Sequence, residues 1–84
     1  MTIIHNPHMS PKRLQELIDD KTVTAITYHI GNLAHDRLYS AEAEARGSEA
    51  YAAYIQGRVR LMQRRVSADS CEYIAVPRGY REAK

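Results

Sequence analysis

The 84-residue sequence predicts a single α+β domain: two to three helices followed by a C-terminal antiparallel β-hairpin, loosely winged-helix-like in its element order. Three observations carry this expectation. A chain of this length forms one domain with a small core, and sixteen Leu, Ile and Val with eleven Ala can fill it. Helix-start signals, Ser10-Pro11 and Ser40, stand directly before apolar residues at helical spacing. Two apolar runs, residues 59–66 and 71–76, flank Ser67-Ala68-Asp69-Ser70 and read as a hairpin.

Taken in order, residues 1–9 hold Pro7 and two histidines without helical period and read as an N-terminal arm. Residues 10–78 form the domain and residues 79–84 a C-terminal tail. Ser10 caps free N–H groups and Pro11 is tolerated at the first helical position. Leu14, Leu17 and Ile18 then make residues 11–20 a short amphipathic helix. Residues 22–30 satisfy two patterns. Thr22 to Tyr28 is rich in β-branched residues and suits a strand ending at Gly31-Asn32. Ile26, Ile30, Leu33, Ala34 and Leu38 nevertheless form a stripe at helical spacing that runs through the supposed turn, which favours a helix over 25–38.

Ser40 caps a third helix with Glu42 and Glu44 in its first turn, where the helix dipole favours them. Its expected buried stripe is Ala43, Gly47, Ala50, Tyr51, Tyr54 and Ile55. Gly47-Ser48 is a point where it can break in two, and Gly57 supplies the C-terminal cap. In the hairpin, a loop centred on Ala68-Asp69 sets Arg65 opposite Glu72, Arg64 opposite Tyr73, Gln63 opposite Ile74, Met62 opposite Ala75 and Leu61 opposite Val76. Val59, Leu61, Ile74 and Val76 then share a core face, leaving Arg60, Met62, Arg64, Tyr73 and Ala75 on the other.

Charge is distributed unevenly. The net +2 resolves into −2 over residues 1–57 (five basic, seven acidic) and +4 over residues 58–84 (seven basic, three acidic). Guanidinium groups fork onto phosphates and a tyrosine ring stacks on a base, so the hairpin reads as a nucleic-acid surface, for DNA or RNA. Its candidate residues are Arg58, Arg60, Arg64, Arg65, Tyr73 and Arg78, with Arg81 extending the patch. The opposing reading is a solvated strand face with Arg64 over Tyr73 as a cation–π pair.

The six aromatics are all tyrosines, so every large ring carries a hydroxyl that needs a partner. Tyr51 and Tyr54 on an Ala-rich helix suit either the core edge or a protein interface, including a homodimer. A helix-turn-helix with Gly47 in the turn places Glu42 and Arg46 where apolar residues are wanted. The candidate recognition helix, residues 48–56, has no Lys or Arg.

Catalytic, metal and cofactor chemistry find no pattern. His5, His8, His29 and His35 lack metal-ligand spacing, and no phosphate loop or nucleophile motif is present. No enzyme activity is expected. Cys71 has no second cysteine to pair with. A free thiol and no recognisable signal peptide suggest the cytoplasm. No stretch approaches the ~18 apolar residues of a membrane span.

Residues 28–34 with Asp36-Arg37, residues 57–66, and residues 73–78 together resemble small uncharacterised accessory proteins of temperate phages and prophages. That resemblance implies a class, in the host cytoplasm, whose members bind DNA or bind and inhibit host or defence proteins. It assigns no catalytic or binding residue. The sequence thus leads to a non-enzymatic accessory protein that binds nucleic acid through a basic hairpin. The alternative is an inhibitor or adaptor that binds a host or defence protein.

Overall fold

The computed structural model describes residues 2–78. The chain runs β1 (Thr2–His5), α1 (Pro11–Ile18), β2 (Val23–Gly31), α2 (Leu33–Asp36), α3 (Ala41–Ile55), β3 (Val59–Ser67) and β4 (Ser70–Pro77). The fold is α+β, a four-stranded mixed sheet in the order β1-β2-β4-β3 with three helices. β1 is parallel to β2, and the other pairings are antiparallel. Among the described residues no helix is long and apolar enough to cross a membrane.

The caps act as the sequence suggests. Ser10 Oγ accepts from the Arg13 N–H at 3.1 Å and Pro11 opens α1. Ser40 Oγ accepts from the Ala43 N–H at 3.1 Å at the start of α3. Between α1 and β2, Asp20 Oδ1 accepts from both the backbone and the hydroxyl of Thr22, fixing the turn and holding the Asp20 carboxyl below its ordinary value. Gly57, at φ +77°, turns the chain from α3 into β3.

The core lies between the helices and one face of the sheet. Leu14, Leu17 and Ile18 of α1 and Ala50 and Ala53 of α3 pack with Ile26 and Tyr28 of β2, Val59 of β3 and Ala75 of β4. Leu14, Ile26 and Val59 are fully buried, each contributing about 1.5–3 kcal/mol by leaving water. Register places Ala25, Thr27 and Ile30 of β2, Glu72, Ile74 and Val76 of β4, and Arg60, Met62 and Arg64 of β3 on the opposite face. No helix covers that face among the described residues.

Four expectations are corrected. The N-terminal arm contains a strand: β1 zips onto β2, its first bond running from the Thr2 N–H to the Thr22 carbonyl. Residues 25–38 are not one helix but β2 followed by the single turn of α2. As an interior strand, β2 has apolar residues on both faces, and this mimicked a helical stripe. Leu38, the far end of that stripe, is exposed.

The third helix is unbroken at Gly47, and its buried face is Ala43, Arg46, Ala50 and Ala53. Tyr51, Tyr54 and Ile55 are exposed, because Ala43, Ala50 and Ala53 let α3 approach the sheet and its large apolar residues face away. Finally, the hairpin register differs by one. Ser67 pairs with Ser70 around the expected Ala68-Asp69 loop, but the register shifts between Arg65 and Ser67. Below that irregularity Arg64 faces Glu72, Gln63 faces Tyr73, Met62 faces Ile74 and Leu61 faces Ala75. A one-residue shift exchanges the two faces of β4, so Tyr73 and Ala75 turn toward the helices while Ile74 and Val76 turn away. The hairpin therefore completes a sheet around β2 instead of following the helices as a separate wing.

Candidate interaction surface

β3 ends the strand order, so one side of its backbone meets β4 and the other meets no strand among the described residues. Which groups lie on that side follows from the ladder. The Arg78 N–H donates to the Arg58 carbonyl at 2.9 Å, in register with the β3–β4 pairing. Antiparallel bonds recur every second residue, so Arg60, Met62 and Arg64 bond to β4. Leu61 and Gln63 direct their N–H and C=O groups to the free side.

A groove of about 580 Å³ runs along this side. Ser48, Tyr51 and Ala52 of α3 form one wall, and Leu61, Met62 and Gln63 of β3 form the other, with Leu33 and Tyr73 between. Gly47 lets Leu33 pack close against α3, since a Cβ there would lie 3.3 Å from Leu33 Cδ2. Arg37 also lines it, but its guanidinium is bonded to Glu44 Oε1 at 2.5 Å. That pairing raises the Arg37 pKa and lowers that of Glu44. The Tyr73 hydroxyl accepts from the Leu33 N–H at 3.1 Å, fixing its ring near those of Tyr28 and His29. Burial, reinforced by Tyr73, pushes the Tyr28 hydroxyl up to about 12.

The uncovered face has a polar centre in an apolar field. Glu72, 6% exposed, accepts from the Thr27 hydroxyl at 2.6 Å and from Arg64 Nη2 at 2.5 Å. His5 Nε2 lies 3.8 Å from the same carboxylate. The Thr27 hydroxyl first, then Arg64, holds the Glu72 carboxyl below its ordinary value. Ile3, Ile30 and Met62 are exposed around this centre.

A second polar set sits on the helix side. Arg46, 4% exposed on α3, donates through Nη1 to the Met9 carbonyl at 3.1 Å and through Nη2 to His29 Nδ1 at 3.2 Å. An arginine donor at Nδ1 requires a lone pair there, so the ring proton resides on Nε2 and is donated to Asp36 Oδ2 at 2.8 Å. This bond, ahead of smaller contributions, lowers the Asp36 pKa. Gly31 admits the carboxylate, since a Cβ there would lie 2.5 Å from Asp36 Oδ2. With both ring nitrogens engaged and 6% exposure, His29 joins β2, α2 and α3 rather than facing a ligand.

The residues expected to form a nucleic-acid surface are not brought together. Arg60 and Arg64 share the uncovered face, but Arg64 is bonded to Glu72. Arg65 lies at the hairpin end, donating to the Ala68 carbonyl, and Tyr73 is on the helix side. Arg58 is ion-paired with Asp19, and Arg78 is half-buried at the hairpin base. Arg81 and the tail, residues 79–84, lie outside the described residues.

Of the expected interface pair, Tyr51 lines the groove and Tyr54 stands exposed beside it, ring centroids 6.1 Å apart. Gln63, Leu61 and Ala52, which complete the walls, were not singled out by sequence. Their role depends on α3 lying alongside β3, which no local pattern announces. Among the described residues no group of three or more His, Cys, Asp or Glu is placed to hold a metal ion. No protein-family model, curated protein or solved structure matches this chain.

Proposed function

We propose that this chain is a small non-catalytic accessory protein that works by binding another protein through the β3 side of its sheet. One observation carries the reading: a nine-residue edge strand with free backbone groups borders an apolar groove and the exposed Tyr51-Tyr54 pair. Apolar surface of this kind beside rigid, amphipathic tyrosines is characteristic of protein recognition. Of the buried groups, His29 and the Glu72 carboxylate are committed to neighbouring side chains.

The test is affinity capture with nuclease treatment, comparing the native chain with Tyr51→Asp. A discrete protein retained by the native chain and lost from the variant supports the reading. Retention that disappears with nuclease, or that ignores Tyr51→Asp, overturns it.

Nucleic-acid binding is the second reading, supported by the +4 charge of residues 58–84 and by Arg60, which has no ion-pair partner among the described residues. It expects gel shifts with DNA or RNA that weaken steeply with salt and vanish in Arg60→Glu combined with Arg64→Glu. Binding kept by that double variant removes this reading.

A further inference from the structure

We infer that β3 takes up an additional strand: an extended segment of a partner protein in which apolar and acidic residues alternate. The inference rests on the protein-binding reading and specifies its chemistry. Leu61 and Gln63 present their N–H and C=O groups outward, which is what an incoming strand requires to extend a sheet. Partner residues opposite Leu61 and Gln63 would direct their side chains to the helix side, into the groove beside Tyr51 and Ala52. Those positions call for apolar side chains.

The alternate partner residues would lie opposite Arg60, Met62 and Arg64, on the uncovered face. Arg60 has no ion-pair partner among the described residues, and the Arg64 side chain keeps 70% exposure despite its bond to Glu72. Two exposed guanidiniums flanking Met62 favour carboxylates at those positions. The same charges disfavour a second copy of this chain. Pairing β3 with its two-fold mate would bring Arg60, Arg64 and Arg65 of both copies onto one seam, the arrangement by which natural edge strands resist self-association.

The probe is a synthetic peptide the length of β3, nine residues, alternating valine and glutamate. Binding is followed by amide shifts and hydrogen exchange on the labelled protein. The expected result is slowed exchange at Leu61 and Gln63, and affinity about tenfold weaker when lysine replaces glutamate. Gln63→Pro removes one outward N–H and leaves the β4 ladder intact, so it should fold with native amide dispersion and lose the peptide.

Equal affinity for the lysine peptide, or protection mapping away from β3, overturns the inference. So does undiminished binding by folded Gln63→Pro. A doubled mass that Gln63→Pro halves identifies a second copy as the occupant and overturns the stated partner chemistry. If a nuclease-resistant partner is captured equally well by Gln63→Pro, strand addition fails while protein binding stands. If no protein is captured and the peptide does not bind, both fail.

Discussion

The two edges of the sheet are built differently. β1 has four residues, and its inner side is used in parallel pairing with β2. β3 has nine, carries arginines on both faces, and runs beside a groove. A very short edge strand offers little template for another chain, whereas a long one must be protected by charge or used. The difference separates two roles. The β1-α1-β2 side carries much of the packing that holds the fold, joined there by Val59 and Ala75. On the protein-binding reading, the β3 side is the surface offered to a partner.

The largest expected effect tests the first role. Leu14 is fully buried where α1 meets the sheet. Leu14→Ala should cost about 2–5 kcal/mol by urea unfolding, because the small core has little capacity to collapse around the gap. A loss under about 1 kcal/mol would show that this side is not where stability resides.

A smaller loss is expected from Arg46→Ala, which removes a buried stem and leaves the Met9 carbonyl and His29 Nδ1 without their donor. Roughly 2–4 kcal/mol should disappear, with β3–β4 amide shifts unchanged. Near-neutral behaviour would break the claim that this network joins α3 to the sheet.

Much of the fold was legible where the signal is local. Ser10, Pro11 and Ser40 mark helix starts because capping chemistry belongs to a few neighbouring residues. The hairpin and its Ala68-Asp69 loop were visible for the same reason. β2 was half-legible: its β-branched run suited a strand ending at Gly31-Asn32. An interior strand buries both faces and loses the alternation that identifies strands, however, so the helical stripe was the stronger pattern. β1 is too short to declare itself without β2. The candidate site was less legible still. A single-residue irregularity near Val66 exchanges the faces of β4, and no sequence rule places it. It moved Tyr73 away from Arg60 and Arg64, which still share the uncovered face. One signal was present but read otherwise: Arg46 occupies a position where a packed helix wants an apolar side chain, and that is where it is buried.

The smallest expected effect distinguishes the two polar sets by pH. Glu72 and Asp36 are both held below their ordinary values, 4.5 and 3.8. A carboxylate with a lowered folded-state pKa stabilises fully above its unfolded value, and the contribution fades as pH falls through the folded one. Stability measured by urea unfolding should therefore be level near neutrality and decline as the medium is acidified below about pH 4.5. Glu72→Gln keeps a hydrogen-bonding side chain beside Thr27 and Arg64 but has no proton to gain there, so it should flatten part of that decline. Since Glu72 lies under Arg64 on the uncovered face, protonating it frees the guanidinium without disturbing the Arg46 network on the other side. The part of the decline that Glu72 carries should appear as faster amide exchange in β3, and Glu72→Gln should remove that part while exchange in α3 follows the native chain. An unchanged acid limb in Glu72→Gln, or β3 exchange in that variant that still rises with acid as in the native chain, would show that the two sides of the sheet are not energetically separate.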